Sequence, residues 1–251
     1  MKLKVLAWCL CVCSSMAVPS AFAEQAVVAV AANFVPPFRE IAIEFEQSTG
    51  HQLRVAAGSS GNFYSQIKNG APFDVFFSAD MERPKKLEDE ELGVKDSRFT
   101  YAIGRIVLWS PNADLIKGEE TLRSKKFKRL AIANPKTAPY GVAAMQTLQK
   151  LELWETLQPQ IVMGESIGQT MGFIESGNAQ LGFVALSQVM DPRIKGQGSR
   201  WDVPTNLHEP IKQDVILLTK GKDNAAAKAL LEFMSGPQAG KIIQYYGYEL
   251  K

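Results

Sequence analysis

Cysteine is nearly absent from this 251-residue chain, and where it occurs it is confined to Cys9, Cys11 and Cys13. Past that stretch no disulfide can form, so the fold must be held by its own core, as one large domain or as two lobes. Histidine is scarcer still: His51 and His208 are too few for most catalytic or transition-metal clusters. No apolar run is long enough to cross a bilayer as a helix. Neither sign of charge dominates, which leaves nothing to attract nucleic acid or an anionic membrane surface. There is no internal repeat at solenoid periods and no low-complexity segment.

What is present begins with an export signal. Lys2 and Lys4 precede an apolar run from Val5 to Val12, and Ala21-Phe22-Ala23 fits the small-x-small cleavage pattern. This predicts a signal peptide over 1–23, cleaved after Ala23, that removes all three cysteines. A lipid anchor on one of them is the alternative, opposed by bulky Trp8 and by cysteines so early in the run. Without Lys2 and Lys4 the mature chain has 26 basic and 26 acidic residues, a net charge near zero.

From Gln25 apolar strands alternate with amphipathic helices. Ala26 to Ala31 reads as a strand buried on both faces. Leu53 to Ala57 and Asp74 to Phe77 read as the next two strands, each followed by a turn and a helix. This order predicts an α/β fold with a mostly parallel sheet, in which ligands bind beyond the carboxyl ends of the strands. Asn33, Ser59-Ser60 and Ser78-Ala79 fall at that edge, on three successive strand-to-helix turns. In Gly58-Ser59-Ser60-Gly61 there is almost nothing to pack, but there are hydroxyls and free N–H groups at a helix N-terminus, a ready site for a small anion. Taken alone, this turn also reads as a plain serine N-cap. Two more such turns stand near Tyr140 and Ile167.

Phe99 to Trp109 is longer than a usual strand and could carry the chain into a second lobe; Val215 to Leu218 could bring it back. The predicted organisation is a first lobe of 24–103 plus 213–251 and a second of 104–212. A cleft lies between them, with the two crossing strands as hinge.

These residues carry a resemblance. Ala31-Ala32-Asn33-Phe34, Gly58-Ser59-Ser60-Gly61, Gly70-Ala71-Pro72 through Ser78-Ala79-Asp80, Ala138-Pro139-Tyr140-Gly141, Leu181 to Ala185 and Gly236-Pro237-Gln238-Ala239 resemble the periplasmic molybdate-binding proteins of ABC importers. The resemblance covers essentially all of 24–251. It implies two α/β lobes that close on one tetrahedral oxyanion, molybdate or tungstate, held by neutral hydrogen bonds alone. By matching motif the contacts would be Asn33, Ser60 and the backbone at Ala79 from the first lobe, with the Tyr140 hydroxyl and the backbone at Ile167 from the second. Ala32 stands beside Asn33 where many relatives carry a hydroxyl, so the Asn33 amide is expected to donate instead. The resemblance further implies a periplasmic monomer that hands its ligand to an inner-membrane ABC permease. It implies no catalysis, no cofactor, and no metal beyond that of the oxyanion.

Other readings remain. A carboxylate of Asp80 turned to the anion would favour phosphate, whereas an Asp80 that caps its helix would not; sulfate is a further oxyanion of the same shape. Tyr245-Tyr246 resembles a tandem-tyrosine ferric site, or simply ends the last helix. A serine hydrolase would need G-x-S-x-G, which Asn62 breaks, and no Gly-Lys-Ser/Thr ending makes a P-loop. The run Lys125 to Arg129 is a docking patch or a solvated turn, and Trp154 and Trp201 are read as lobe packing.

Overall fold

A computed structural model describes residues 23–250. The signal peptide expected over 1–23 therefore lies, but for Ala23, outside the described residues.

The first strand, β1 (Gln25–Ala31), has Ala26, Val28, Ala29 and Val30 fully buried, as a strand covered on both faces must. It runs parallel to β2 (Gln52–Gly58) on one side and β3 (Val75–Phe77) on the other. Helices make the connections: α1 (Val35–Thr49), α2 (Ser60–Lys68) and α3 (Glu82–Asp89). The start of α1 is set by Pro36-Pro37 in its first turn, where a missing N–H costs nothing. Its end is set by Gly50, whose left-handed backbone lets its N–H reach the Glu46 carbonyl.

Where the apolar run suggests one long strand from Phe99 to Trp109, two form: β4 (Phe99–Gly104) and β5 (Ile106–Ser110). They belong to different sheets and part at Arg105. The Arg105 carbonyl accepts the Leu186 N–H at 2.9 Å, in the register of the second sheet. The second sheet follows, with α4 (Glu120–Ser124), β6 (Leu130–Ala133), α5 (Pro139–Lys150), α6 (Trp154–Leu157) and β7 (Ile161–Gly164). After them come α7 (Ile167–Glu175), β8 (Leu181–Ala185), α8 (Leu186–Val189) and β9 (Ser199–Asp202). The chain then returns in β10 (Ile211–Leu217) and closes with α9 (Ala225–Met234) and α10 (Pro237–Tyr245).

The two sheets have matching orders, β2-β1-β3-β10-β4 and β7-β6-β8-β5-β9. In each, three parallel strands are followed by one antiparallel strand, β10 or β5, that has just crossed from the other sheet. The crossings place the carboxyl ends of the parallel strands of both lobes face to face. The last residues return to this hinge: Glu249 exchanges both backbone hydrogen bonds with Ile103, at 2.8 and 3.0 Å, and so brings Tyr248 there.

Each lobe has its own core. Phe34, Phe38, Phe77 and Tyr101 pack together in the first, and Leu108, Leu122, Leu148 and Phe183 in the second. Full burial of each such side chain contributes about 1.5–3 kcal/mol. Trp154 and Trp201 pack against the second core. Ala31 and Ala79, at the ends of first-sheet strands, also pack into the second lobe's core, so the lobes are in contact.

Candidate functional site

Helices α1, α2, α5 and α7 all begin at this facing edge. The first is led in by a short 3-10 turn, Ala32–Phe34, with Asn33 at its middle. The N-cap of α2 is Ser59, whose Oγ accepts the Asn62 N–H, and Ser60 is its first residue. Pro139 and Tyr140 open α5. Ser166 caps α7 by accepting the Gln169 N–H, and Ile167 is its first residue. A helix has no acceptor of its own for its first N–H groups, and each N-terminus carries about half a positive charge.

All five residues singled out by the sequence, Asn33, Ser60, Ala79, Tyr140 and Ile167, line one cavity between the lobes. It is small, about 10 Å³. Its walls contain no lysine, arginine or carboxylate. A wider cleft of about 400 Å³ opens beside it, but that one is lined by charges of both signs, among them Asp80, Arg83, Glu209 and Lys212. The small cavity is where the helix N-termini converge, and it is the candidate site.

Its groups are held in a definite way. Ser60 is buried, and its Oγ accepts the Ala79 N–H at 2.9 Å, which leaves the serine proton to point elsewhere. The Ala79 N–H thus acts through Ser60 in this structure. Asn33 differs more from expectation. Its Nδ2 donates to Gln213 Oε1 at 2.7 Å and to the Tyr248 hydroxyl at 3.0 Å, so both amide hydrogens are spent inside the protein. What its turn can offer a ligand is main-chain N–H. Tyr140 reaches across from the second lobe, and its oxygen accepts from Gln213 Nε2 at 3.2 Å.

Gln213, Tyr101, Tyr248 and Ser187 form the buried polar support of the site, and the sequence reading did not single them out. Gln213 Oε1 also accepts from the Tyr101 hydroxyl at 3.0 Å, and Ser187 Oγ donates to the Asn33 carbonyl at 2.6 Å. The one available signal was Gln213-Asp214, a polar pair inside an apolar strand. Lobe closure is recorded directly as well: the Gly61 N–H donates to the Thr137 carbonyl at 2.9 Å, and Arg83 Nη2 to the Lys136 carbonyl at 3.3 Å.

Burial pushes the phenols of Tyr101 and Tyr140 well above their ordinary value, reinforced at both by neighbouring phenols and at Tyr101 also by the Asp214 and Asp80 carboxylates. Burial also raises Tyr248, to about 12. All three stay protonated donors at neutral pH. In the unfolded chain a tyrosine ionises near 10, so their contribution to stability is intact below pH 10 and is lost as pH rises above it, for Tyr248 as pH passes through about 12. We expect alkaline unfolding to begin above pH 10 and, in a chain whose accessible Tyr64 and Tyr245 are replaced by phenylalanine, tyrosinate absorbance to rise together with the loss of helix; tyrosinate appearing in that chain before any unfolding would contradict it.

The remaining candidates lie elsewhere. The Asp80 carboxylate is turned to its helix, where Oδ1 accepts the Arg83 N–H at 2.9 Å and Oδ2 pairs with the Arg83 guanidinium. Tyr246 is buried and donates to Glu40, while Tyr245 is half exposed under Lys195, and neither lines the cavity. His51 accepts from the Glu24 N–H, and His208 lies against the Glu209 carbonyl, so neither serves Ser59 or Ser60 as a base. In the basic run only Phe127 is buried; the charged side chains are exposed. Among the described residues no cluster of histidine, aspartate and glutamate could hold a metal ion.

The chain is similar to known proteins over nearly its whole length. The family model described as bacterial extracellular solute-binding protein matches residues 26–249. Molybdate-binding protein ModA of Azotobacter vinelandii is 52% identical over 234 residues, 92% of each chain. The protein of that name in Rhodobacter capsulatus is 48% identical over 233 residues, covering 93% of this chain and 91% of that one. Among solved structures, the Azotobacter vinelandii periplasmic molybdate-binding protein superposes with a TM-score of 0.87 at 41% identity, covering 90% of this chain and 99% of that one.

Proposed function

The chain belongs to the bacterial extracellular solute-binding proteins, in their molybdate-binding family, and we propose that it captures molybdate or tungstate outside the cytoplasm and delivers it to an inner-membrane ABC permease. It works in the periplasm, as a monomer and without a cofactor. Asn33, Ser60, Ala79, Tyr140 and Ile167 form its ligand site. No bond of the ligand is made or broken.

One observation carries this reading: four helix N-termini meet at a cavity with no charged side chain, between two lobes in contact. An oxyanion there would be held by main-chain N–H groups and by the Ser60 and Tyr140 hydroxyls. Hydrogen bonds to a charged acceptor contribute about 1.5–3 kcal/mol each, so a handful can offset the cost of stripping water from a dianion. Such a donor-only site suits a fully deprotonated tetrahedral anion. Phosphate, which keeps a proton near neutral pH, needs an acceptor, and Asp80 is turned away from that task. The ligand touches both lobes and so stabilises their closed arrangement.

Thermal unfolding of the mature chain with molybdate, tungstate, sulfate, phosphate and Fe(III) in parallel tests the assignment. At a hundredfold excess over Kd a true ligand adds about 2.7 kcal/mol, a rise of roughly 5–10 °C in a chain of this size. Molybdate and tungstate are expected to give that rise, and a rise with phosphate or Fe(III) instead would overturn the reading. Ser60→Ala and Tyr140→Phe are each expected to weaken molybdate binding about 10- to 100-fold by calorimetric titration, with the fold intact but unliganded stability lowered by about 1–3 kcal/mol, since each leaves a buried donor, the Ala79 N–H or Gln213 Nε2, without its acceptor. Full affinity in both variants would remove these residues from the site.

A further inference from the structure

Gln213 sits in β10 at a break in register: Gln213 pairs with Ala102, but Asp214 pairs with Thr100. Such a bulge redirects side chains, and it is found next to functional sites more often than elsewhere. Here two consecutive polar residues, both with no exposed surface, go to different tasks. Asp214 binds Arg98 and Thr100. Gln213 enters the space between the lobes, where it meets Asn33, Tyr101 and Tyr140. The backbone leaves room for this at one place, since a Cβ on Gly104 would lie 2.5 Å from Gln213 Nε2 and 2.1 Å from the Tyr140 oxygen.

The hydrogen bonds around Gln213 have a direction. The Asn33 carbonyl can only accept, and Ser187 Oγ donates to it; the Tyr248 hydroxyl stands 2.9 Å from that carbonyl and 3.0 Å from Ser187 Oγ, so the Tyr248 proton is spent on one of these two oxygens. The Tyr248 oxygen then faces the Asn33 amide as an acceptor, which orients Nδ2 toward it and toward Gln213 Oε1. Gln213 is left with its NH₂ group toward Tyr140, whose oxygen accepts it. The proton of Tyr140 remains free to turn to Tyr248, beside it, or into the cavity.

We infer that Gln213 sets the polarity of the ligand site: by occupying the Tyr140 oxygen it makes that hydroxyl a donor toward the bound anion, and so helps select tetrahedral anions that carry no proton. The inference rests on the oxyanion reading above. Gln213 touches no ligand in this account and is a positioning residue that works through Tyr140.

The test is a double-mutant cycle on the mature chain, with Gln213→Met and Tyr140→Phe singly and together, titrated calorimetrically with molybdate and with inorganic phosphate. Methionine keeps the bulk and removes the donor. Its two other partners keep a bond each, Asn33 Nδ2 to Tyr248 and Tyr101 to the Ser78 carbonyl, so the variant is expected to fold. Gln213→Met should weaken molybdate about tenfold when residue 140 is tyrosine and less than about twofold when it is phenylalanine. The preference for molybdate over phosphate should shrink in step. Gln213→Glu is the second variant: its carboxylate can accept from Asn33, Tyr101 and Tyr140, takes the Tyr140 proton out of the cavity, and should weaken molybdate more than methionine does. Equal losses in both backgrounds, or full affinity in the glutamate variant, would overturn the role of Gln213 while leaving the oxyanion function standing. A wild-type chain that ignores molybdate would overturn both.

Discussion

Gly104→Ala is expected to lower molybdate affinity about a hundredfold, the loss of one strong charge-assisted hydrogen bond and its support. The added methyl carbon would lie 2.1 Å from the Tyr140 oxygen and 2.5 Å from Gln213 Nε2, distances no real pair of atoms tolerates. Both side chains are fully enclosed, so neither can step aside and keep its bond to the other. The backbone of Gly104 is not left-handed, so alanine is conformationally acceptable there and the lobes themselves should form. The expected outcome in calorimetry is therefore a folded protein whose Tyr140 hydroxyl no longer reaches the anion. Wild-type affinity in this variant would mean that Tyr140 binds from some other position.

Gly61→Ala is expected to separate closure from ligand binding. Residue 61 lies in the first turn of α2, where alanine is favoured over glycine by up to about 1 kcal/mol in a free helix. Its Cβ would stand 2.9 Å from both the Cα and the carbonyl oxygen of Thr137, main-chain atoms of the other lobe. The lobes would have to stop a few tenths of an ångström or more short of their present approach, and the Gly61–Thr137 hydrogen bond would stretch. A ligand that gains by touching both lobes loses whatever the closed state loses. Molybdate affinity should fall about tenfold or more, for a closure penalty of at least about 1.4 kcal/mol, while the unliganded melting temperature holds or rises. A fall in both together would show that the substitution damages α2 itself.

How much of this could be read from the chain depended on how far apart in sequence the interacting parts lie. Ser59 was legible because a cap and the helix it starts are neighbours, and an apolar run followed by a small polar turn fixes both. The split at Arg105 was not, because it is set by partners far along the chain: residues up to Gly104 pair with β10, and those from Ile106 with β8 and β9. The role of Asn33 was half legible. Its place on the first turn follows from β1, but the commitment of its amide depends on Gln213 and Tyr248, 180 and 215 residues later. Tyr248 reaches the hinge through a two-residue pairing of Glu249 with Ile103 that no periodicity announces. Tyr245-Tyr246 illustrates the converse. A suggestive local pair is divided by helix geometry, one side chain to solvent and one to Glu40.

The central claim is that one tetrahedral oxyanion sits among Ser60, Tyr140 and Ile167 at the meeting of four helix N-termini. Crystals of the mature chain grown with molybdate, with diffraction recorded at an energy where molybdenum scatters anomalously, test it most directly. The account predicts a single strong anomalous peak inside the small cavity, with the Ser60 and Tyr140 hydroxyls in hydrogen-bonding range of the surrounding oxygens. A peak in the wider charged cleft beside Asp80, or at Tyr245 and Tyr246, or no peak in protein that binds molybdate in solution by other means, would contradict it.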